Sequence, residues 1–345
     1  MENLIKPKAL KKGDSIGLVS PSSPLAGQLP HRVEQGKKML KEMGFKVVIG
    51  KNALKIKDWT AGTAQERADD LNTFFADKNI KAIIAFIGGF HSNQIVELLD
   101  YKMIKKNPKV FMGYSDITVL HFALNTQANL MTFYGPAILT QFADNPSLNS
   151  YTEEYFEKAI TSNQPIGEIR PSTEWTDEVL NWFEKKDLER PRIFKKNPGW
   201  IWLKEGQAKG KLIGGCLSSM LHLRSTKYWP DFENKIFFWE IPESSADFSK
   251  GEPLSEVDAH LTDLKLSGIF KQIKGMIIGR PFGYNSEQFE KLRQLILEYT
   301  AHYDFPVLFG IDIGHTDPML TLPLGVDAQL NSAKNLFVIT EKATY

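Results

Sequence analysis

The stretch "KVFMGYSDITVL", Lys109 to Leu120, joins a strand pattern directly to a helix pattern. A run of apolar residues predicts a buried strand that stops at Gly113, and apolar residues after Asp116 recur at helical spacing. Ser115 lies at the corner between them. Such a corner can project a nucleophile above a sheet, beside backbone N–H groups that hold an oxyanion. The alternative is that Ser115 or Asp116 caps the helix.

Strands and helices alternate on both sides of this corner. The segments "SIGLVSP" (15–21), "KVVIG" (46–50) and "KAIIAF" (81–86) have the apolar composition of buried strands. Helical patterns separate them, and one begins at Thr63, where Glu66 has the spacing of a capping box. Apolar strands that alternate with helices predict a largely parallel sheet covered by helices on both faces.

The alternation breaks down between about residues 145 and 210, a segment rich in Pro, Glu, Lys and Trp. It resumes afterwards, and "VDAQLNSAKNLFVIT" (326–340) predicts antiparallel hairpin strands. We therefore expect an α/β protein with an N-terminal domain (1–144) that carries the nucleophile and has a largely parallel sheet flanked by helices. A linker with a Trp-rich substrate loop (145–210) follows, and then a C-terminal α/β domain (211–345) with some antiparallel strands.

Composition limits the classes of function. The chain has 345 residues, 42% of them hydrophobic, which is enough for a large core and favours two domains over one. The formal charge of +1 gives no reason to expect a nucleic acid polymer or an anionic membrane as partner. The single cysteine, Cys216, excludes an internal disulfide, fits a reducing compartment and is expected to be a buried small residue. The first 24 residues contain no long apolar run, so we expect neither a signal peptide nor a membrane span, and a cytoplasmic location.

A serine nucleophile needs a base, and among the seven histidines His315 is the best placed. It lies in "GIDIGHTDPMLTLPLG" (310–325), in a loop after a strand, where open α/β sheets place their chemistry. Glu240 ends the strand pattern of "KIFFWEIPE" (235–243), where a carboxylate needs a donor, and orienting His315 would provide one. A loop histidine bonded to backbone, and a glutamate that caps a turn, are the alternatives.

Two glycines are candidates for an oxyanion site. The segment "FIGGFHSN" (86–93) places Gly88 and Gly89 between a buried strand and a helix, where glycine lets backbone N–H groups turn towards a ligand. The segment lacks the Lys-Ser/Thr ending of a phosphate-binding loop. The sequence also lacks HExxH, a Cys/His cluster and a dense set of carboxylates, so we expect no metal site.

These segments together resemble the LD-carboxypeptidase family of serine peptidases, which includes the microcin C self-immunity proteins. The resemblance covers nearly the whole chain and rests on segments in family order, among them "GDSIGLVSPSSP", "AIIAFIGGFHSN", "MGYSDIT", "TFYGP", "GKLIGGCLSSM", "FFWE" and "GHTDPMLTLPLG". It implies a triad with Ser115 as nucleophile, His315 as general base and then acid, and Glu240 as its orienting carboxylate. It also implies an oxyanion hole formed by the N–H groups of Gly89 and Asp116, no metal or organic cofactor, and a homodimer with each site between the two domains.

The family resemblance leaves two substrate classes. The LD-carboxypeptidases release terminal D-alanine from cytoplasmic muropeptides, whereas the immunity-type members cleave the amide that joins a peptide-derived aminoacyl group to a modified adenylate. The immunity-type members carry a longer central loop with aromatic residues that stack on the nucleobase. Four of the seven tryptophans of this chain lie in the corresponding segment, and indole faces suit base stacking.

We therefore expect the immunity-type activity on a peptidyl or aminoacyl nucleotide, with D-alanine release as the alternative. Trp182 is the first candidate for stacking and Trp175 the second, with Gly88 also in the substrate site. Packing at the domain interface is the alternative role for either tryptophan. A non-catalytic ligand-binding protein could share this fold, but it would not need a serine, a glutamate and a histidine together at strand ends.

Overall fold

The computed structural model describes residues 4–345. In chain order its strands are β1 (Ser15–Val19), β2 (Lys46–Ile49), β3 (Ile80–Ala85), β4 (Val110–Gly113), β5 (Phe133–Tyr134), β6 (Gly167–Ile169), β7 (Glu174–Trp175), β8 (Lys195–Lys196), β9 (Ile201–Lys204), β10 (Gln207–Cys216), β11 (Ile236–Glu240), β12 (Gly275–Gly279), β13 (Val307–Ile311), β14 (Leu322–Pro323), β15 (Asp327–Asn331) and β16 (Leu336–Ile339).

The α-helices in the same order are α1 (Leu25–Gln28), α2 (Pro30–Glu42), α3 (Ala64–Ala76), α4 (Tyr101–Lys106), α5 (Thr118–Ala128), α6 (Ser150–Ile160), α7 (Lys186–Glu189), α8 (Leu217–Leu221), α9 (Leu254–Leu266), α10 (Ile269–Gln272) and α11 (Ser286–Thr300). Short 3-10 helices span Ser92–Leu98, Ser115–Ile117 and Ser332–Lys334. Among the helices of residues 4–345, none combines the length and the apolar character needed to cross a membrane.

The N-terminal sheet has the strand order β14-β5-β4-β3-β1-β2. The strands from β2 to β5 pair in parallel, and only β14 is antiparallel to its neighbour. The central strands β3 and β4 are apolar and almost completely buried, as expected when helices flank a parallel sheet. Thr63 and Glu66 form the predicted capping box at the start of α3. The largely parallel N-terminal sheet is therefore confirmed.

The second sheet has the order β6-β16-β15-β10-β11-β12-β13-β9. Its centre, from β10 to β13, is parallel, and the strands on either side are antiparallel. β15 and β16 are the hairpin strands predicted for residues 326–340. The predicted fold class, two α/β parts with antiparallel strands in the second, is confirmed.

The two parts share chain segments. Residues 145–210 contribute β6 and β9 to the two edges of the second sheet, and β7 pairs with β8 in a separate ribbon. β14, from the C-terminal part of the chain, completes the N-terminal sheet by pairing with β5. The segment between residues 144 and 210 is thus built partly into the second sheet. The division of the chain at these two residues stays a prediction.

Strand ends supply the candidate residues. Ser115 follows the end of β4 by two residues, Glu240 is the last residue of β11, and His315 follows β13 by four residues. Because β11 and β13 belong to the same parallel set, their carboxyl ends open on one edge of the second sheet.

Candidate active site

Ser115 occupies the corner in a strained conformation. Its φ of 62° lies in the left-handed region, which is uncommon for a non-glycine residue, costs about 1–3 kcal/mol and recurs at active sites. A 3-10 turn, Ser115–Ile117, follows, and Ile117 at the N-cap of α5 makes no side-chain capping bond. Neither Ser115 nor Asp116 therefore caps α5, so the capping interpretation is wrong.

Asp116 instead fixes the loop that carries the two glycines. Its carboxylate is fully buried, and Oδ2 accepts hydrogen bonds from the N–H groups of His91 at 3.0 Å and Ser92 at 2.9 Å. A Cβ atom on Gly88 would lie 2.9 Å from Cβ of Ser115 and 3.1 Å from the Asp116 nitrogen. Only glycine permits this approach, so the Gly88–Gly89 backbone lies directly against the Ser115 corner.

Gly89 meets a second constraint. Its φ of 145° is one that other residues rarely adopt, and a Cβ there would lie 2.5 Å from the hydroxyl oxygen of Ser22. That hydroxyl also accepts a hydrogen bond from the His91 N–H at 2.8 Å. Side chains thus hold the His91–Ser92 end of this loop, and its backbone is positioned beside the candidate nucleophile.

Glu240 and His315 make the contact expected from the sequence. Nδ1 of His315 lies 2.7 Å from Oε2 of Glu240, and the carboxylate is fully buried. Gly314 makes the approach possible, because its φ is 91° and a Cβ on it would collide with Oε2 of Glu240. The glycine before His315 is therefore a requirement of this pair.

Tyr134 joins this pair to the candidate nucleophile, a role that the sequence analysis missed. Its hydroxyl donates to Oε1 of Glu240 at 2.5 Å and accepts the backbone N–H of Ser115 at 3.3 Å. Burial, with the nearby Glu240 carboxylate, raises the pKa of Tyr134 and keeps it a neutral donor. The available signal was a tyrosine at the buried end of a strand in "TFYGP", since a buried phenol needs a hydrogen-bond partner.

His315 lies between two carboxylates. Burial acts to lower its pKa, but Glu240 and Glu243 outweigh burial and raise the pKa to about 9. Nε2 forms no hydrogen bond with any of residues 4–345, and it lies 3.4 Å from Oε2 of Glu243. The Tyr114 ring packs edge-on against the imidazole, with centroids 5.0 Å apart. Near neutral pH this arrangement favours the imidazolium form.

The two candidate stacking tryptophans have different environments. Trp182 is half-buried, and the Arg32 guanidinium lies 4.3 Å from its ring centroid. Trp175 is only 8% exposed, and its ring contacts Nζ of Lys195 at 3.9 Å and the Arg280 guanidinium at 4.8 Å. The buried position of Trp175 favours the packing role, and Trp182 stays the candidate for stacking.

Ion pairs hold the segment that carries Trp182, and the Arg32–Asp187 pair among them is buried. Arg32 donates to Asp187 at 2.7 Å and to the carbonyl oxygen of Leu139 at 2.6 Å. Arg192 donates to Asp144 at 2.7 Å and, also at 2.7 Å, to Asp317, two residues after His315. The segment is thereby tied both to the N-terminal part and to the loop that carries the candidate base.

Other reactive groups have structural roles. Cys216 is 1% exposed, as predicted, and burial with the Glu240 charge raises the pKa of its thiol. His121 is buried with Nε2 at 2.9 Å from the Gly113 carbonyl oxygen, and burial lowers its pKa to about 4. Residues 4–345 contain no group of three or more His, Cys, Asp or Glu side chains arranged to hold a metal ion.

Comparisons with known proteins find relatives that align with both parts of this chain. Residues 16–135 match the LD-carboxypeptidase N-terminal domain, and residues 209–330 match the LD-carboxypeptidase C-terminal domain. The putative carboxypeptidase YocD of Bacillus subtilis is 35% identical over 92% of this chain and 93% of its own length. The microcin C7 self-immunity protein MccF of Escherichia coli is 32% identical over 96% of this chain and 95% of its own.

A solved structure gives the same result. The structure of MccF in complex with aspartyl sulfamoyl adenosine has a TM-score of 0.90 and 32% identity, and it covers 99% of this chain and 100% of that one. Both domains match, and the relatives align with this chain over almost their whole length. This chain therefore belongs to the LD-carboxypeptidase family of serine peptidases.

Proposed function

We propose that this peptidase hydrolyses the amide of an aminoacyl or peptidyl nucleotide through a triad of Ser115, Glu240 and His315. The observation that carries the proposal is the chain of contacts through Glu240. One of its oxygens accepts Nδ1–H of His315, and the other binds Tyr134, whose hydroxyl accepts the Ser115 amide. A buried carboxylate that orients a histidine beside a strained serine is the arrangement that acyl transfer requires.

The first half of the reaction forms an ester on Ser115. Oγ attacks the amide carbonyl carbon while Nε2 of His315 takes its proton. The N–H groups of Gly89 and Asp116 stabilise the negative oxygen of the tetrahedral intermediate. His315 then gives the proton to the leaving nitrogen as the C–N bond breaks. Glu240 holds the imidazole in the required tautomer and stabilises its positive charge.

The second half releases the acid. Water attacks the ester carbonyl carbon, and Nε2 of His315 takes a proton from it. The carbonyl is restored as the ester C–O bond breaks, and His315 returns the proton to Oγ of Ser115. The products are a carboxylic acid and the nucleotide fragment that keeps the N–H nitrogen, and the enzyme is regenerated with one water consumed.

The Trp-rich segment supports a nucleotide as part of the substrate. Trp182 is held on Arg32, and Arg32 is fixed by Asp187 and by a backbone carbonyl. An indole ring fixed in this way offers a stacking surface for a base at little entropic cost. The similarity to a protein solved with aspartyl sulfamoyl adenosine points to the same substrate class.

A comparison of two substrates tests the proposal. Purified protein is assayed with an aminoacyl sulfamoyl adenosine and with a tetrapeptide that ends in D-alanine, and kcat/KM is measured for both. We expect the adenosine substrate to be favoured by about tenfold or more, the contribution of one stacked base. The reverse preference would establish the family's other activity, release of D-alanine. Binding of either compound without turnover would establish a ligand-binding protein and contradict the proposal.

We also infer the setting in which the enzyme works from the family resemblance and the composition. The inferred assembly is a homodimer, and the inferred location is the cytoplasm, consistent with a single cysteine that is buried. The inferred partner is a small aminoacyl-nucleotide or peptide substrate, with no metal or organic cofactor in the reaction.

A further inference from the structure

Glu243 lies beside the atom that must transfer the proton. It follows Glu240 by three residues, in the loop after β11, and its Oε2 is 3.4 Å from Nε2 of His315. In the proposed mechanism Nε2 takes a proton from Ser115 and gives it to the leaving nitrogen, so both atoms must come within hydrogen-bond reach of it. The Glu243 carboxylate therefore lies next to the position of the scissile bond.

Carboxylates from more than one part of the fold lie near His315. Glu240 faces it from the end of β11, and Glu243 and Glu252 act on it from the loop that follows. Tyr114, at the end of β4, packs against the ring as a neutral phenol, because burial raises its pKa. Asp317, in the same loop as His315, is paired with Arg192 at 2.7 Å. Three carboxylates thus share one imidazolium.

The partners of these carboxylates differ. Glu240 is bound by both Tyr134 and Nδ1 of His315, and Glu252 lies 3.7 Å from Nδ1 of His260. The Glu243 side chain is 33% exposed, and it pairs with Nε2, the atom that the reaction needs to be free. For His315 to act as a base, Glu243 must find another partner when the substrate binds.

We propose that Glu243 determines specificity by binding a substrate ammonium group adjacent to the scissile carbonyl, which releases Nε2 of His315 towards Ser115. This rests on the proposed role of His315 as general base. The α-ammonium of an aminoacyl group is two bonds from the carbonyl carbon, and it offers the same charge as the imidazolium that it replaces. An N-acylated or peptidyl substrate has no such charge and leaves Glu243 on His315. The preferred substrate class is therefore an aminoacyl nucleotide with a free α-ammonium.

A matched pair of substrates measures this specificity. We compare kcat/KM for an aminoacyl sulfamoyl adenosine and for its N-acetyl derivative in the wild type, in Glu243→Gln and in Asp247→Asn. Asp247→Asn removes a carboxylate of the same loop that is bonded to Ser249 and has no contact with His315. The wild type and Asp247→Asn should favour the free ammonium by about tenfold to a hundredfold, the range for a hydrogen bond to a charged group. Glu243→Gln should abolish that preference.

The pH dependence gives a readout that loss of structure would not produce. Removing a carboxylate from Nε2 makes the imidazolium less favourable, so the pKa of His315 falls in Glu243→Gln. The acid limb of the pH profile of kcat/KM, which reports the pKa of the base in the free enzyme, should move to lower pH. The acid limb of kcat for the N-acetyl substrate should move in the same direction, because that substrate leaves Glu243 on His315 in the wild-type complex.

An NMR titration separates this proposal from the proposed function. In the Ser115→Ala protein, which we expect to be inactive, the pKa of the His315 imidazole should fall on adding Glu243→Gln, whatever the reaction is. An unchanged imidazole pKa, or a Glu243→Gln enzyme that keeps the wild-type preference for the free ammonium, would overturn the role of Glu243. Full activity of Ser115→Ala would instead overturn the triad.

Discussion

Tyr134 is the residue at which the two parts of the site meet. Its hydroxyl binds the carboxylate of Glu240 on β11 and the backbone of Ser115 at the end of β4. The same carboxylate holds His315, so one hydroxyl helps to fix the orientation of both the proposed base and the proposed nucleophile. A group that fixes reacting atoms without touching the substrate acts through positioning.

Replacing this hydroxyl should impair turnover more than folding. In Tyr134→Phe the Glu240 carboxylate loses one buried donor, which is worth about 1.5–3 kcal/mol for a hydrogen bond to a charged group. We expect kcat/KM to fall by about tenfold to a hundredfold.

Tyr101→Phe is the matched control, because it removes a hydroxyl bonded to the Val96 carbonyl oxygen on another helix. Thermal unfolding should show a loss of stability for both variants, the smaller loss in Tyr101→Phe, whereas only Tyr134→Phe should lose activity. Equal kcat/KM values in the two variants would contradict the positioning role.

At this scale the sequence predicts some residues of the site and misses others for a definite reason. Ser115, Glu240 and His315 stand at the ends of strand patterns, and local pattern alone places them on sheet edges. The role of Tyr134 depends on Glu240, which lies 106 positions further along the chain. The role of Glu243 depends on His315, which lies 72 positions further along the chain. The spacing of apolar residues within one segment does not predict contacts between residues so far apart. Asp116 was predicted for its N–H group, and its carboxylate has the additional task of holding the 88–92 loop.

At the scale of elements, the segment that carries Trp182 is the one we propose to contact the base of the substrate. Its irregular sequence predicts a loop, and charged side chains tie it to other elements. Arg32 of α2 binds Asp187 of α7, and Arg192 binds Asp144 and Asp317. These pairs are separated by 48 to 155 residues in the chain, so composition predicts the segment's charge but not its anchors.

Truncating Trp182 tests what this element contributes. If the indole stacks on adenine, Trp182→Ala should lose about 1–3 kcal/mol of binding to an aminoacyl sulfamoyl adenosine. That is about tenfold to a hundredfold in KM, or in kcat/KM if stacking also positions the amide. Hydrolysis of a peptide that ends in D-alanine should change little, because that substrate has no base.

Phe183→Ala is the control within the same segment, since Phe183 is 66% exposed and adjacent to Trp182. It should leave both rates near those of the wild type. Equal losses on the two substrates in Trp182→Ala would identify Trp182 as a packing residue.

At the scale of the whole molecule, the site is assembled from both matched domains. Ser115 comes from the N-terminal match, whereas Glu240 and His315 come from the C-terminal one. Thr118 helps to join them, because its hydroxyl donates to the Ser115 carbonyl oxygen and accepts the N–H of Cys216. The proposed nucleophile and its proposed base therefore keep their relative positions only while the two sheets stay packed together.

The sequence predicts the two sheets better than it predicts how they share strands. Apolar runs separated by helical patterns are a strong local signal, and both sheets follow it. The pairing of β14 with β5, and the addition of β6 and β9 to the second sheet, join strands that are far apart in sequence. These strands have two to four residues each, too few to establish a period.

The most direct test of the account is the activity of Ser115→Ala on an aminoacyl sulfamoyl adenosine. The change removes one half-buried hydroxyl oxygen, so the unfolding temperature should stay near that of the wild type. Loss of a triad member should lower kcat by a factor on the order of 10⁴ to 10⁶. A Ser115→Ala protein that is folded and keeps the wild-type kcat/KM would contradict the serine-peptidase mechanism proposed for this site.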